Sequence, residues 1–265
     1  MAAAEKIEEL RHRLAAIERK DALGRQGTFS LGVPEIDAAL QGPQGEGLQL
    51  GALHEIFARD VGDAPAASAI ALAFVMRAAG KKPVVWVRQD FAAMEMGEIY
   101  APGLVELGFD PNRLVLVRVR DGPSALRAAE EAARCSALGA VLIELWGRHK
   151  ALDLVATRRL SLAAEGSGVP LMMMRAGAQP SPSAAASRWL VRAAPSIPLE
   201  AEAPGHPAFV LDLVRSRAGA AGRSWKVDWN RDQRIFHLRH PADFADAGEP
   251  PADALSGGMA AASPG

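Results

Sequence analysis

The amino-acid sequence predicts an α/β fold with a mostly parallel central sheet flanked by helices, antiparallel strands at the C-terminal end and an N-terminal helical arm. Three observations carry that expectation. Short apolar runs recur at 83–88 (Pro-Val-Val-Trp-Val-Arg), 113–118 (Arg-Leu-Val-Leu-Val-Arg), 140–145 (Ala-Val-Leu-Ile-Glu-Leu) and 169–174 (Val-Pro-Leu-Met-Met-Met), as expected of strands buried on both faces. Segments with helical spacing lie between them, at 125–138 and 151–164. The last runs, at 208–215, 224–229 and 234–239, alternate apolar and polar residues, the pattern of antiparallel strands with one wet face.

Element by element, the chain opens with Ile7, Leu10, Leu14 and Ile17 at spacings of three, four and three, set among Glu8, Glu9, Arg11 and Arg13. This pattern predicts an amphipathic helix over 1–25 that docks on its own core or on another subunit. The core spans 26–240. Beyond it, 241–265 holds Asp243, Asp246, Glu249 and Asp253 without basic neighbours, an acidic tail whose composition predicts disorder.

Residues 53–57 read as a strand, 58–65 as a loop and 66–79 as a helix, the layout of a phosphate-binding unit. A loop that grips phosphate reads G-x-x-x-x-G-K-[ST], because backbone N–H groups wrap the phosphates, a lysine reaches the outer ones and a hydroxyl holds Mg²⁺. Here the loop is Ala-Arg-Asp-Val-Gly-Asp-Ala-Pro, without lysine or hydroxyl. Each lost charge-assisted contact is worth about 1.5–3 kcal/mol, so losing two weakens binding by more than about a hundredfold. Pro65 removes a backbone donor as well. Gly80 and Lys81, followed by Lys82 and Pro83, read as a helix stop. The sequence therefore implies no bound cofactor and no catalytic residue.

Composition narrows the remaining classes. With 265 residues, 49% hydrophobic content and a net charge of −1, the chain supports one large packed domain. Uninterrupted apolar runs fall far short of the roughly 20 residues that cross a bilayer, and no apolar signal core opens the chain, so a cytoplasmic protein without membrane contact is expected. The single cysteine, Cys135, precludes an internal disulfide and reads as a small buried thiol within a helix. The six histidines show no spacing with partner ligands that would hold zinc. Charge is uneven: Arg215, Arg217, Arg223, Lys226, Arg231, Arg234 and Arg239 make 206–240 basic.

The order of these elements resembles the RecA recombinase core and, more closely, the ImuA family of RecA-like accessory proteins. The resemblance rests on 31–40 (Leu-Gly-Val-Pro-Glu-Ile-Asp-Ala-Ala-Leu) followed by 50–56 (Leu-Gly-Ala-Leu-His-Glu-Ile), on 99–101 and 107–110, and on 152–160 (Leu-Asp-Leu-Val-Ala-Thr-Arg-Arg-Leu) with 168–171 (Gly-Val-Pro-Leu). It covers roughly 28–240. It implies a RecA-like core with a degenerate phosphate loop. It also implies a non-hydrolysing role in SOS-induced mutagenic translesion synthesis, beside an ImuB-type Y-family polymerase homologue, RecA and, indirectly, a DnaE-type error-prone polymerase. A divergent DNA-dependent ATPase or recombinase, and a DNA-binding module, are the competing functions.

The same resemblance assigns places to particular residues. Asp90 and Glu144 stand where RecA-like enzymes carry a water-positioning acid and a metal-associated carboxylate; without phosphate ligands both read as surface or hydrogen-bonded groups. Arg215 and Arg217 resemble the basic pair that reaches across a subunit boundary, and Arg223 and Lys226 extend that surface. The DNA loops would fall near 146–150 and 177–183, where Arg148, His149, Lys150, with Arg158, Arg159 and Arg188, are candidates for phosphate contact, or are solvated charge. Leu10 and Leu14 are the partner-contact candidates of the helical arm. Trp225, Val227 and Trp229 share one strand face and are expected to pack on the core.

Overall fold

Parallel strands that are apolar on both faces need cover on both, and the computed structural model supplies it around a nine-stranded sheet. Residues 27–217 and 221–239 are described; the helical arm with Leu10 and Leu14, and the acidic tail, lie outside them. A small ribbon of β1 (Thr28–Phe29) and β2 (Leu48–Gln49), with α1 (Pro34–Ala39) between, leads into β3 (Leu53–Ala58). Then come α2 (Ala64–Ala79), β4 (Val84–Gln89), α3 (Asp90–Met96), α4 (Ala101–Glu106), β5 (Leu114–Val119), α5 (Gly122–Ala133), β6 (Ala140–Trp146), α6 (Leu154–Ser167), β7 (Leu171–Ala176) and β8 (Ser187–Ala194). The meander β9 (Ala208–Ser216), β10 (Arg223–Asn230) and β11 (Ile235–Leu238) closes the chain.

The strand order is β11-β10-β9-β8-β3-β7-β6-β4-β5. Strands β3 to β8 run parallel, and β9, β10 and β11 pair antiparallel. Side chains alternate across the sheet, which separates two cores. One gathers Ile56, Phe74, Trp86, Met172, Met174 and Trp189 around α2; the other gathers Leu53, Val87, Ile143, Met173 and Leu160 under α5 and α6. Val227 and Trp229 complete the first core, and Trp225 packs against it, as their shared strand face predicts.

Three expectations need correction. Strand β5 is the sheet edge, not a buried strand: Val115 is 51% and Leu116 40% exposed, because no strand among the described residues lies beyond it. Cys135 is exposed, since α5 ends at Ala133 and the thiol falls in the following turn. The stretch Val61–Ala79 is long and apolar enough to cross a membrane by composition, and half of it is buried inside the fold. It serves as the central core helix, apolar all round because sheet and loops surround it. Gly80 ends it at φ 54°, a conformation open to glycine.

One buried polar chain ties β3 to β8 beneath the β1–β2 ribbon. His54 is fully buried. Its Nε2 donates to the Gln49 carbonyl at 2.8 Å, which fixes the tautomer, and Nδ1 accepts from Ser187 Oγ at 2.7 Å. Ser187 Oγ in turn accepts from Trp189 Nε1 at 2.9 Å. Burial lowers the His54 pKa to about 4, the Gln49 carbonyl opposes that shift, and the nearby Arg217 charge adds to it. The unfolded chain therefore binds a proton near pH 6.5 that the fold refuses until about pH 4. Stability contributed by neutral His54 is present above pH 6.5 and falls as pH drops toward 4. Urea titrations at pH 7 and pH 5 should show a loss of about 2 kcal/mol at the lower pH, and His54→Asn should reduce that difference; an unchanged difference would assign the pH dependence elsewhere.

Candidate functional site

The segment between β3 and α2 has the position of a phosphate loop but not its interior. A phosphate nest needs successive N–H groups turned inward, commonly through alternating right- and left-handed backbone. No residue of 58–65 has positive φ, Gly62 included. A 3₁₀ turn, Val61–Asp63, runs directly into α2, with Ala64 and Pro65 in its first turn. The Asp63 carboxylate accepts from the Ala193 backbone N–H at 2.9 Å and, more weakly, from Asp60 N at 3.4 Å. Arg59 reaches Asp212 on β9 at 3.1 Å. The helix N-terminus, where positive partial charge welcomes anions, is thus preceded by the held carboxylate of Asp63 and by exposed Asp60.

Behind this loop lies a buried ion pair. Arg88 on β4 and Glu144 on β6 are register partners in adjacent parallel strands, so both side chains emerge on the α2 face. Arg88 Nε donates to Glu144, with exposures of 5% and 1%. Ser68 Oγ of α2 donates to the other carboxylate oxygen at 2.5 Å. Glu144 is consumed by an internal cation and a hydroxyl, which is the hydrogen-bonded state expected of it. A cavity of about 200 Å³ beside the pair is lined by Ser68, Trp86, Arg88 and Glu144, with Leu72, Met96 and Leu104 among its apolar walls. Asp90 stands at the start of α3 and pairs at 3.3 Å with exposed Arg118, which also holds Glu98, a residue of the cavity wall.

The basic candidates fall in several separate settings. Arg188 is buried and paired with Glu55 at 2.7 Å, again between register partners, and Ser183 Oγ donates to the same Glu55 oxygen at 2.8 Å. Its guanidinium is withdrawn from solvent, a correction to its reading as a phosphate contact. Arg215 and Arg217 are exposed but hold the 183–184 segment, donating to the carbonyls of Ser183 at 2.9 Å and Ala184 at 2.5 Å. Arg223 is exposed at the start of β10, and Lys226 is half-buried further along it. Arg148 and Lys150, exposed after β6, are brought together with His149 and with Arg175 of β7. Arg175 was not singled out by the sequence, because a lone arginine at the end of an apolar run reads as a strand terminus. Arg158 is exposed on α6, whereas Arg159 bridges to Glu130 of α5 at 2.6 Å.

Removing one partner of the Arg88–Glu144 pair strands a charge in the core. Arg88→Met should cost about 3–5 kcal/mol in equilibrium urea unfolding at pH 7. The double variant Arg88→Met/Glu144→Gln should recover most of that loss; a single variant within about 0.5 kcal/mol of the parent protein would show the pair to be solvated.

No family model matches the chain. Two curated relatives do: Protein ImuA from two strains of Caulobacter vibrioides, each 36% identical over 228 residues, covering 80% of this chain and 86% of the relative. Among solved structures, the RadB recombinase is similar in fold, with a TM-score of 0.53 at 15% identity, covering 80% of this chain and 100% of that one. The core is therefore RecA-like in architecture. At that identity to the relatives, over that share of both chains, the chain belongs to the ImuA family.

Proposed function

We propose that this chain is a non-hydrolysing RecA-like adaptor in DNA-damage-induced mutagenic translesion synthesis, acting through protein contacts beside an ImuB-type polymerase homologue and RecA. Family membership supplies the biological context. The single observation that carries the mechanism is the occupied phosphate position. Ala64 and Pro65 replace lysine and hydroxyl, Asp60 and Asp63 put like charge where triphosphate would lie, and Arg88 neutralises Glu144 where a metal ion would be held. Mg·ATP would have to displace an internal cation and overcome two carboxylates with no lysine to compensate.

The adaptor would work through surfaces outside that closed centre: the amphipathic arm and the late-strand face bearing Arg215, Arg217, Arg223 and Lys226. Isothermal titration with ATP and Mg²⁺ should give no saturable heat at millimolar nucleotide, with or without single-stranded DNA. Saturable binding together with hydrolysis that disappears in Glu144→Gln would replace this reading by the ATPase. Leu10→Asp/Leu14→Asp should abolish pull-down of the ImuB-type partner while the thermal melt stays that of the parent; retained pull-down would remove the arm from the interface.

A further inference from the structure

A second centre lies on the opposite face of the sheet from α2, at the carboxyl ends of β6 and β7. There a cavity of about 450 Å³ is lined by Arg148, His149, Lys150, Arg175, Gln179 and Ser181, and by no carboxylate. Its volume is that of a small-molecule site. Arg175 is the unusual member. It is 4% exposed, its Nε is buried without a partner, and its guanidinium lies over the Phe57 ring at 5.1 Å. Arg188 covers the same ring at 5.8 Å.

Two guanidinium groups therefore share one aromatic ring, and the carboxylate between them is already spent. Glu55 binds Arg188 and Ser183. Burial destabilises the charged form of Arg175, Glu55 relieves that only in part, and Arg188 and Arg148 add repulsion. His149 is held through its ring by the Trp146 backbone, which leaves its buried Nε2 unpartnered and able to take a proton when an anion arrives. A buried cation is kept in a fold when it is paired or when a ligand pairs it, and Glu55, the carboxylate whose charge reaches Arg175, is hydrogen-bonded to Arg188 and Ser183 instead.

We propose that this cavity is a receptor for a phosphate monoester, with Arg175 as the buried anchor and Arg148 and Lys150 closing on the phosphate from the mouth. Arg148, Lys150 and Arg175 line the one cavity, and several cationic donors around one anion suit the three terminal oxygens of a monoester. A diester within a continuous strand must leave in two directions, whereas an anchor at the bottom of a cavity is reached by an end. The monoester has two sources, a free nucleoside monophosphate or the 5′-phosphate of a strand end. This inference does not rest on the adaptor reading, since the cavity and the closed loop occupy opposite faces of the sheet.

Calorimetric titration of the full chain at fixed ionic strength tests it with four probes: inorganic phosphate, AMP, a short oligothymidine bearing a 5′-phosphate, and the same oligonucleotide with a 5′-hydroxyl. The phosphorylated strand should bind at least about tenfold more tightly than the hydroxyl form, the effect of one charge-assisted contact. Arg175→Gln and the exposed double variant Arg148→Ala/Lys150→Ala should each erase that preference. AMP equal to the phosphorylated strand identifies a free nucleotide as ligand, and a tighter strand identifies an end; both uphold the proposal. Equal binding of the two oligonucleotides, a preference untouched by the variants, or no binding by any probe overturns it. If Arg175→Gln fails to fold by circular dichroism, the exposed double variant decides alone.

Discussion

Every charged side chain on a parallel sheet covered on both faces must be answered within the protein, because water is absent there to answer it. That constraint organises this molecule. Arg88 meets Glu144 on one face and Arg188 meets Glu55 on the other, each pair joined across adjacent strands in register. The pairs are reinforced by hydroxyls, Ser68 in the first and Ser183 in the second. Shifting a register by one residue would turn each charge to the opposite face and leave it among Leu, Met and Trp. The ion pairs therefore select one alignment of the sheet, at a cost in desolvation that apolar pairs would not incur.

The first pair also bears on how this RecA-like core is held together behind the loop after β3. In a protein that binds nucleotide, ligand binding adds stability by mass action, about 2.7 kcal/mol at a hundredfold excess over Kd. If this chain lacks that ligand, as proposed, the carboxylate is satisfied from inside: Arg88 neutralises Glu144 within the core. The loop follows the same logic, since Asp63 bridges to β8 through Ala193 and Arg59 bridges to β9 through Asp212. What would be a mobile phosphate cradle is a strap that ties the parallel half of the sheet to its antiparallel half.

The sequence made the parallel strands β4, β6 and β7 legible through their apolar runs and β3 through its place before a loop and helix, and it exposed the missing lysine directly. It did not reveal β8. Ser-Arg-Trp-Leu-Val-Arg-Ala-Ala carries two arginines and two alanines, and its burial depends on Glu55 neutralising Arg188 from a strand more than a hundred residues earlier in the chain. Strand β5 misled in the opposite sense, as its Leu-Val-Leu-Val pattern looks internal while its place at the sheet edge is a property of topology alone. The candidate residues behaved likewise. Arg148 and Lys150 were visible as a basic run, whereas Arg188 and Arg175 differ only in whether a carboxylate lies opposite, which no local pattern encodes.

The comparison of those two arginines carries the argument furthest. Both are buried, both lie over Phe57, and both sit on strands flanking β3. Arg188 faces Glu55 in register and is paired with it. Arg175 faces Phe57 and Leu145 in register, so its register partners carry no charge, and Glu55, two residues back along β3, relieves it only in part. An aromatic face gives a cation part of what a carboxylate would, enough to position the guanidinium but not to replace its hydration. The fold thus treats the two sites differently with the same residue: one closes a core, and the other leaves donor capacity directed at open space beside Arg148 and Lys150. The fold pairs its other buried strand arginines, Arg88 and Arg188, with carboxylates in register, so the partnerless Nε of Arg175 is what draws the proposed phosphate receptor to the end of β7.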